Sequence, residues 1–402
     1  KWFDQWIFGK GYPSLKASFS FDAKKGEGTF EIEQKQADKK KGVKLFEFIT
    51  DIGWVIDGKL HTREVRIEKD KHSFSVKMDK EPEQVRLDPA VRTVCKIDFN
   101  PGDEKLRKQL TDAEDVVGRI LAARELCKTG KRKNIEAVRE AYRREKFWGV
   151  RIRMAGALMT TNSEVASEAL NELLGVEQDG MVLETLVRCA GHFRGPKVRE
   201  ALGRFIEGDV QVYRARAAVW EVLGAQRNEM PLDKLLAAAG KDTPLGWEQA
   251  GAFRGLAETR RSEALQPLLD ASSYGKTGQR ARHWAAASIG ALAKYLEKAD
   301  REKAVERLVD LLRDPTPRVQ KFAMMGLQSA GATEAVGQLE SWGRGLSEQE
   351  QTGVARAAAG IRAGAKPQLA GVDKQLEEFR ETVRKLNDRL EKLETQLEKS
   401  EN

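Results

Sequence analysis

The chain has 402 residues, of which 40% are hydrophobic and 33% are charged. At about 150 residues per domain, this length predicts two or three domains with ordinary cores. No uncharged apolar segment approaches the roughly 18 residues of a membrane span, so we expect a soluble protein with no membrane partner. A net charge of only +8 argues against nucleic acid as a partner. The widely spaced Cys95, Cys127 and Cys189 exclude a disulfide-stapled scaffold and favour the cytoplasm.

Residues 1–13 contain an apolar cluster with no strand pattern. Five large apolar side chains occupy seven positions: Trp2, Phe3, Trp6, Ile7 and Phe8. On a helix, Phe3, Trp6 and Ile7 would share a face. Burying three such side chains contributes about 1.5 to 3 kcal/mol each. We therefore expect this cluster to dock against another domain. The alternative is that the segment folds back on the domain that follows it.

Residues 14–99 predict a small antiparallel β-sandwich. Apolar and polar residues alternate through residues 15–21 and again through residues 74–78, which is the period of half-buried strands. The pair Asp57-Gly58 stands between two apolar runs and predicts a two-residue hairpin turn. Because no helix intervenes between the strands, a parallel sheet is not expected.

Residues 100–370 predict an α-solenoid, since the apolar period changes to that of a helix and helix pairs recur every roughly 31 to 37 residues. The segment at residues 314–327 has an Asp-Pro start followed by Val, Ala and Leu on one face, and it resembles a HEAT repeat.

Several first helices of the solenoid carry two arginines spaced two positions apart, such as Arg151 with Arg153 and Arg280 with Arg282. Residues at this spacing do not share a helix face, so at most one of each pair points inward. We expect these arginines to be mainly solvated and the neighbouring His283 to be partly exposed. The alternative is an anion-binding concave surface, because stacked repeats would align the arginines that point inward.

Residues 371–402 predict a coiled-coil-like terminal helix. Their apolar residues alternate spacings of three and four, a heptad seam. The seam consists of Leu376, Phe379, Val383, Leu386, Leu390, Leu393 and Leu397. We expect self-association into a homodimer through this seam. The alternative is that the helix packs on its own solenoid.

The sequence contains no residue pattern typical of a catalytic or metal site. The four histidines form no His-Glu-x-x-His motif, and Cys189 with His192 lacks the second ligand pair that zinc requires. No phosphate-binding glycine loop and no nucleophile elbow is present. We therefore expect the chain itself to be non-catalytic, with no catalytic residue, no metal ligand and no cofactor of its own.

Three segments nevertheless resemble zinc aminopeptidases of the aminopeptidase N type. FDQWIFGKGYP at residues 3–13 is similar to the Phe-x-x-Trp-x-x-x-x-Gly-x-Pro junction that leads from the catalytic domain of that family into a β-sandwich. PEQVRLDP at residues 82–89 is similar to the closing strands of the sandwich, and DVVGRI at residues 115–120 to the helix that follows.

The resemblance implies a C-terminal portion of a zinc metallopeptidase, a hydrolase whose catalytic domain precedes residue 1 and holds the zinc. No catalytic, zinc-binding or substrate-binding residue of the family can be assigned to a position in this chain. The implied role is to shape or gate the access of peptide substrates to the active site of the upstream domain. Two alternatives remain: a catalytically dead relative that serves as a scaffold, and a HEAT interaction module whose partner is a protein or nucleic acid.

Overall fold

The computed structural model describes residues 2–208, 212–227 and 232–364. The predicted terminal helix at residues 371–402, with its heptad seam, lies outside these residues. The chain divides into two compact units, Lys1–Val222 and Leu223–Asn402. Each unit is described by itself below.

The first unit begins with a short helix, α1 (Trp2–Trp6), followed by seven strands in two sheets. The strands are β1 (Ser14–Asp22), β2 (Glu27–Gln34), β3 (Phe48–Ile56), β4 (Lys59–Ile67), β5 (Lys71–Lys77), β6 (Gln84–Leu87) and β7 (Lys96–Phe99). One sheet has the order β5-β2-β1-β7 and the other has the order β4-β3-β6. The predicted hairpin is present: Asp57 and Gly58 both have positive φ and join β3 to β4.

The larger sheet differs from the prediction in one pairing. β7 lies parallel to β1, with Ser14 opposite Lys96 and Ala17 opposite Phe99, whereas every other strand pair described is antiparallel. The reason is the path of the chain, because β7 is reached from β6 in the opposite sheet and not through a hairpin. A return from the other sheet allows either strand direction.

Alternating side chains of both sheets meet in one apolar core, as the period-two pattern requires. Its buried members are Leu15, Phe30, Ile32, Ile52, Trp54, Val65, Ile67, Met78, Val85, Leu87 and Phe99.

Helices follow from residue 103, and no strand occurs in the described part of residues 103–364. In the first unit they are α2 (Asp103–Asp112), α3 (Val116–Lys128), α4 (Arg132–Arg144), α5 (Trp148–Thr160), α6 (Glu164–Val176), α7 (Gly180–Gly191) and α8 (Pro196–Glu207). The next helix, α9 (Tyr213–Ala225), runs past residue 222. α3, α5 and α7 stack on one another, and α4, α6 and α8 form a second layer.

The second unit continues with paired helices. They are α10 (Leu232–Gly240), α11 (Trp247–Glu258), α12 (Leu265–Ser272), α13 (Gln279–Ala293), α14 (Lys298–Leu311), α15 (Pro317–Ala330), α16 (Val336–Gly343) and α17 (Glu348–Gly364). α11, α13, α15 and α17 stack in that order. The predicted fold class, mainly α with a small β domain and HEAT-like paired helices, is confirmed.

Small residues allow the stacked helices to approach closely. A Cβ atom added at Gly290 in α13 would lie 2.2 Å from the carbonyl oxygen of Gly326 in α15. A Cβ atom added at Gly224 in α9 would likewise lie 2.0 Å from the carbonyl oxygen of Gly255 in α11. Backbone therefore touches backbone at these crossings, so no side chain fits between the helices. Among the described residues, no helix is both long enough and apolar enough to cross a membrane.

Candidate functional site

The segment that carries the predicted apolar cluster is fixed to the sandwich along one side. Gln5 Nε2 donates to the carbonyl oxygen of Glu47 at 2.9 Å, and the Glu47 N–H donates to Gln5 Oε1 at 2.7 Å. The Trp6 ring packs against Phe46 and Phe48, with centroid distances of 5.1 and 6.2 Å. A paired amide and two aromatic contacts thus determine how the segment sits on the domain.

The other apolar side chains of the segment point into solvent. Phe8 is 76% exposed, and Trp2, Phe3 and Ile7 are all more than half exposed. Phe3, Trp6 and Ile7 therefore do not form one buried helix face: α1 ends at Trp6, and of the three only Trp6 packs on the sandwich. Folding back onto the sandwich accounts for Trp6 alone among the five.

A cavity of about 530 Å³ lies beside α1 and extends this exposed surface onto the sandwich. Its lining includes Trp2 together with Ile49 and Val94, which are exposed apolar residues of the sandwich. The polar side of the cavity is already paired, since Arg66 bonds to Glu47 and Arg92 Nη1 donates to Asp51 at 3.0 Å. We call the exposed apolar set the docking surface: Trp2, Phe3, Ile7, Phe8, Ile49 and Val94.

Half-buried arginines link successive helix pairs in the first unit. Arg119 of α3 bonds through Nε to Glu145 at 2.6 Å, just before α5. Arg151 of α5 bonds to Asp179 at 2.9 Å, where Asp179 caps α7. Each guanidinium thus neutralises a carboxylate at the start of the next helix pair. The expectation that Arg151 is solvated is wrong, because the side chain is 15% exposed and bonds to a carboxylate 28 positions later in the chain.

An arginine–carboxylate pair also joins the sandwich to α3, the first helix of the stack. Asp115 caps α3 by accepting from the Gly118 N–H at 2.7 Å, and it accepts from Arg86 Nη2 of β6 at 2.9 Å. Burial alone would raise the pKa of Asp115, but the hydrogen bonds from Arg86 and Gly118 outweigh it and lower that pKa. The carboxylate is therefore ionised and joins two elements of different type.

In the second unit the buried pair is Arg282 and Asp314. The Arg282 side chain is 2% exposed and donates through Nη1 and Nη2 to the two carboxylate oxygens at 2.6 and 2.7 Å. Arg282 is thus not solvated as expected, whereas Arg153 and Arg280 are exposed. His283 also differs from expectation: it is 1% exposed, with its ring 4.5 Å from that of Phe322, because α15 stacks over it.

The described residues contain no group of three or more His, Cys, Asp or Glu side chains able to hold a metal ion. The expectation that this chain binds no cofactor stays a prediction. The three cysteine thiols are side chains whose reactivity depends on their pKa. Burial raises the pKa of Cys127 to about 12 and that of Cys189 to about 11, and burial with the nearby Asp88 raises the pKa of Cys95 to about 12.

These pKa shifts predict slow alkylation of the folded chain. At pH 8 a thiol with a pKa of 12 is ionised to about one part in 10⁴, against roughly a quarter for an ordinary thiol. We expect Cys95 and Cys127 to react with iodoacetamide about a thousandfold more slowly in the folded chain than in denaturant, as measured by mass spectrometry. A thiol that is labelled equally fast in both states would contradict the burial of that site.

Comparison with known proteins gives one match at the level of families. The sequence profile described as HEAT repeats matches residues 104–189, less than half of the chain. No curated protein matches the sequence.

Among solved structures, the chain is similar to aminopeptidase A of Legionella pneumophila in complex with aspartic acid, at 15% identity and a TM-score of 0.41. The match covers 83% of this chain and 42% of that one, so this chain spans less than half of the aminopeptidase. It is also similar to human deoxyhypusine hydroxylase in complex with glycerol, at 17% identity and a TM-score of 0.29, over 65% of this chain and 96% of that one. TM-scores this low assign no activity.

Proposed function

We propose that this chain is a non-catalytic helical-repeat region that docks against a zinc-peptidase catalytic domain and shapes peptide access to its active site. The observation that carries the proposal is the docking surface, which is apolar and exposed although its segment is anchored at Gln5 and Trp6. Contiguous exposed apolar patches mark sites of protein association. The resemblance of residues 3–13 to a family junction supplies the kind of partner.

The contacts of the surface favour an apolar partner. Arg66 and Arg92 at its edge are already paired with Glu47 and Asp51, so they offer little unmatched charge to a second protein. Large aromatic side chains dominate the energetics of such contacts. Because Gln5 and Trp6 hold the segment in place, little conformational freedom is lost when Phe3 and Phe8 become buried.

A scaffold role in protein binding is the second candidate function. It is favoured by the HEAT match over residues 104–189, since stacked repeats present extended binding surfaces. This role requires no peptidase partner.

Substitutions on the docking surface test the main proposal. We expect Ile7→Ser with Phe8→Ser to weaken binding to the separately produced catalytic domain about a hundredfold, since each buried anchor contributes about 1 to 2 kcal/mol or more. Calorimetric titration measures the dissociation constant. The matched control is Val176→Ser with Tyr274→Ser, two exposed apolar residues elsewhere in the chain, and it should bind normally.

The gating role is tested in the full-length protein with the same two variants. The docking variant should change the ratio of cleavage rates for short and long peptides while the zinc content stays constant. An unchanged ratio would remove the gating role. A full-length protein with no zinc motif before residue 1 would leave only the scaffold role.

A further inference from the structure

A row of guanidinium groups and aromatic rings crosses the layer formed by α11, α13 and α15. The Arg254 Cζ atom lies 4.5 Å from the ring centroid of Trp284. The Trp284 ring meets the Phe322 ring edge to face, at 4.9 Å and 82°. The Arg318 Cζ atom lies 5.9 Å from the Phe322 centroid. These residues come from three successive stacked helices, so the row extends across all three.

A second row lies just beyond the C-terminal ends of α11 and α13. The Arg260 Cζ atom is 4.0 Å from the ring centroid of Tyr295, and the Lys294 Nζ atom is 4.9 Å from it. Tyr295 follows Trp284 by eleven positions, which is about three helical turns, and Lys294 keeps the helical backbone between α13 and Tyr295. Both rings therefore lie on the same side of α13.

The side chains of α15 complete this surface. Arg318, Lys321, Phe322 and Met325 follow the spacing i, i+3, i+4 and i+7, which forms one stripe on a helix. We call the whole set the aromatic–basic face: Arg254, Arg260, Trp284, Lys294, Tyr295, Arg318, Lys321, Phe322 and Met325.

The face carries unbalanced positive charge. Within the described parts of the chain, Arg260, Lys294, Arg318 and Lys321 form no ion pair with a carboxylate. Two exposed acidic residues are near these cations in the sequence: Glu258 lies a turn beyond Arg254, and Glu297 follows Tyr295 by two positions. Other exposed cations of the second unit, such as Lys276 and Arg313, also form no ion pair with a described residue. The cations of the face differ from them because Arg260, Lys294 and Arg318 lie beside aromatic rings. A surface of this kind attracts a partner of opposite charge.

The stacking geometry distinguishes between acidic partners. A guanidinium that rests on a ring keeps its N–H edge directed outward, where it can bond a carboxylate through two parallel hydrogen bonds. The sides of Trp284 and Tyr295 that carry Arg254 and Arg260 are closed to a nucleobase, although single-stranded nucleic acids bind by stacking on open rings. Tyr295 and Met325 are both more than two-fifths exposed and offer apolar contact.

We propose that the aromatic–basic face binds acidic polypeptide segments in which Asp and Glu alternate with apolar residues. The carboxylates bond to Arg260, Lys294 and Arg318, and the apolar side chains pack on Tyr295 and Met325. This site is separate from the docking surface, and its occupation does not depend on a peptidase partner.

Fluorescence anisotropy with the full 402-residue chain tests the proposal. The probe is a labelled 16-residue peptide of alternating Glu and Leu, and the comparators are its Gln analogue and a 16-nucleotide single-stranded DNA. We expect Lys294→Gln with Arg318→Gln to weaken peptide binding roughly tenfold, because two charged contacts are lost. The matched control is Lys276→Gln with Arg313→Gln, exposed cations of the same unit outside the face, and it should change binding less than twofold.

A third variant separates a structured site from general attraction by charge. Tyr295→Leu keeps the net charge but removes the ring under Arg260, and it should weaken peptide binding several-fold. Three results would overturn the proposal: equal loss of binding in the control and the face variant, equal binding of the Gln peptide, or displacement of the peptide by a lower concentration of DNA.

Discussion

Asp314→Ala is expected to lower the free energy of unfolding of the second unit by about 3 to 5 kcal/mol, because it leaves the buried Arg282 guanidinium without a counter-charge. The same carboxylate accepts from the Thr316 N–H at 2.9 Å at the start of α15, so that hydrogen bond is lost as well. Hydrogen exchange of the amides in α13 and α15, followed in the full chain, measures the change in that unit.

The control for this substitution is Asp310→Ala, four residues earlier, which removes an exposed carboxylate that forms no ion pair with a residue in the described ranges. It should change stability by less than about 0.5 kcal/mol.

The ion pair of Arg282 with Asp314 also predicts that stability depends on pH. Burial would raise the pKa of Asp314, but hydrogen bonds from Arg282 and Thr316 outweigh it and lower that pKa. The stabilisation is therefore complete above the ordinary Asp pKa of about 4 and is lost as the pH falls through the lower folded value. Protection in α13 that is independent of pH down to 2 would contradict this assignment.

Gly290→Ala is expected to destabilise the second unit by about 2 kcal/mol. Glycine to alanine inside a helix normally stabilises by up to about 1 kcal/mol. Here the new methyl group would overlap the backbone of Gly326, and backbone atoms cannot move aside as a side chain can. α13 and α15 must separate, so the contacts around the crossing loosen with them. Denaturant unfolding monitored by exchange of α13 amides gives the magnitude.

Gly353→Ala is expected to change the stability of the same unit in the opposite direction to Gly290→Ala. Gly353 lies inside α17, and a Cβ atom added there would meet no atom within 4 Å. We expect this variant to be more stable than the parent by up to about 1 kcal/mol. If both alanine variants shift stability in the same direction, the close approach of α13 to α15 is not as described.

The elements that the sequence predicts correctly depend on local patterns. Alternation through residues 15–21 predicts β1, and Asp57-Gly58 predicts the hairpin between β3 and β4, because both signals lie within a few residues. The parallel β7 depends on where the chain returns from the other sheet. No pattern within residues 96–99 encodes that direction.

The buried arginines show the same limit more strongly. Arg280 and Arg282 are equivalent in a pattern of charges, yet one is exposed and the other is enclosed by a carboxylate 32 positions later. Spacing on one helix correctly predicts that the two point in different directions. The spacing does not identify the partner of Arg282, because that partner depends on the stacking of α13 against the start of α15. The burial of His283 under Phe322 has the same cause.

The apolar cluster at residues 2–8 is visible in the sequence, but its anchor is not. Gln5 is a polar residue among aromatic neighbours, and only its paired hydrogen bonds with Glu47, 42 positions away, show that it fixes the segment. The residues around Gln5 do not distinguish a fixed segment from a free one, because the bonds depend on where Glu47 lies in the fold.

The bond between Arg86 and Asp115 has a practical consequence for cutting the chain. Residues 100–102 lie outside strand and helix, so they look like a natural border for isolating the sandwich. A fragment that ends at residue 99 would retain the nearly buried guanidinium of Arg86 but lose its carboxylate. A protease nick at this border should leave the two pieces bound to each other, and the sandwich prepared alone should melt well below its temperature in the intact protein.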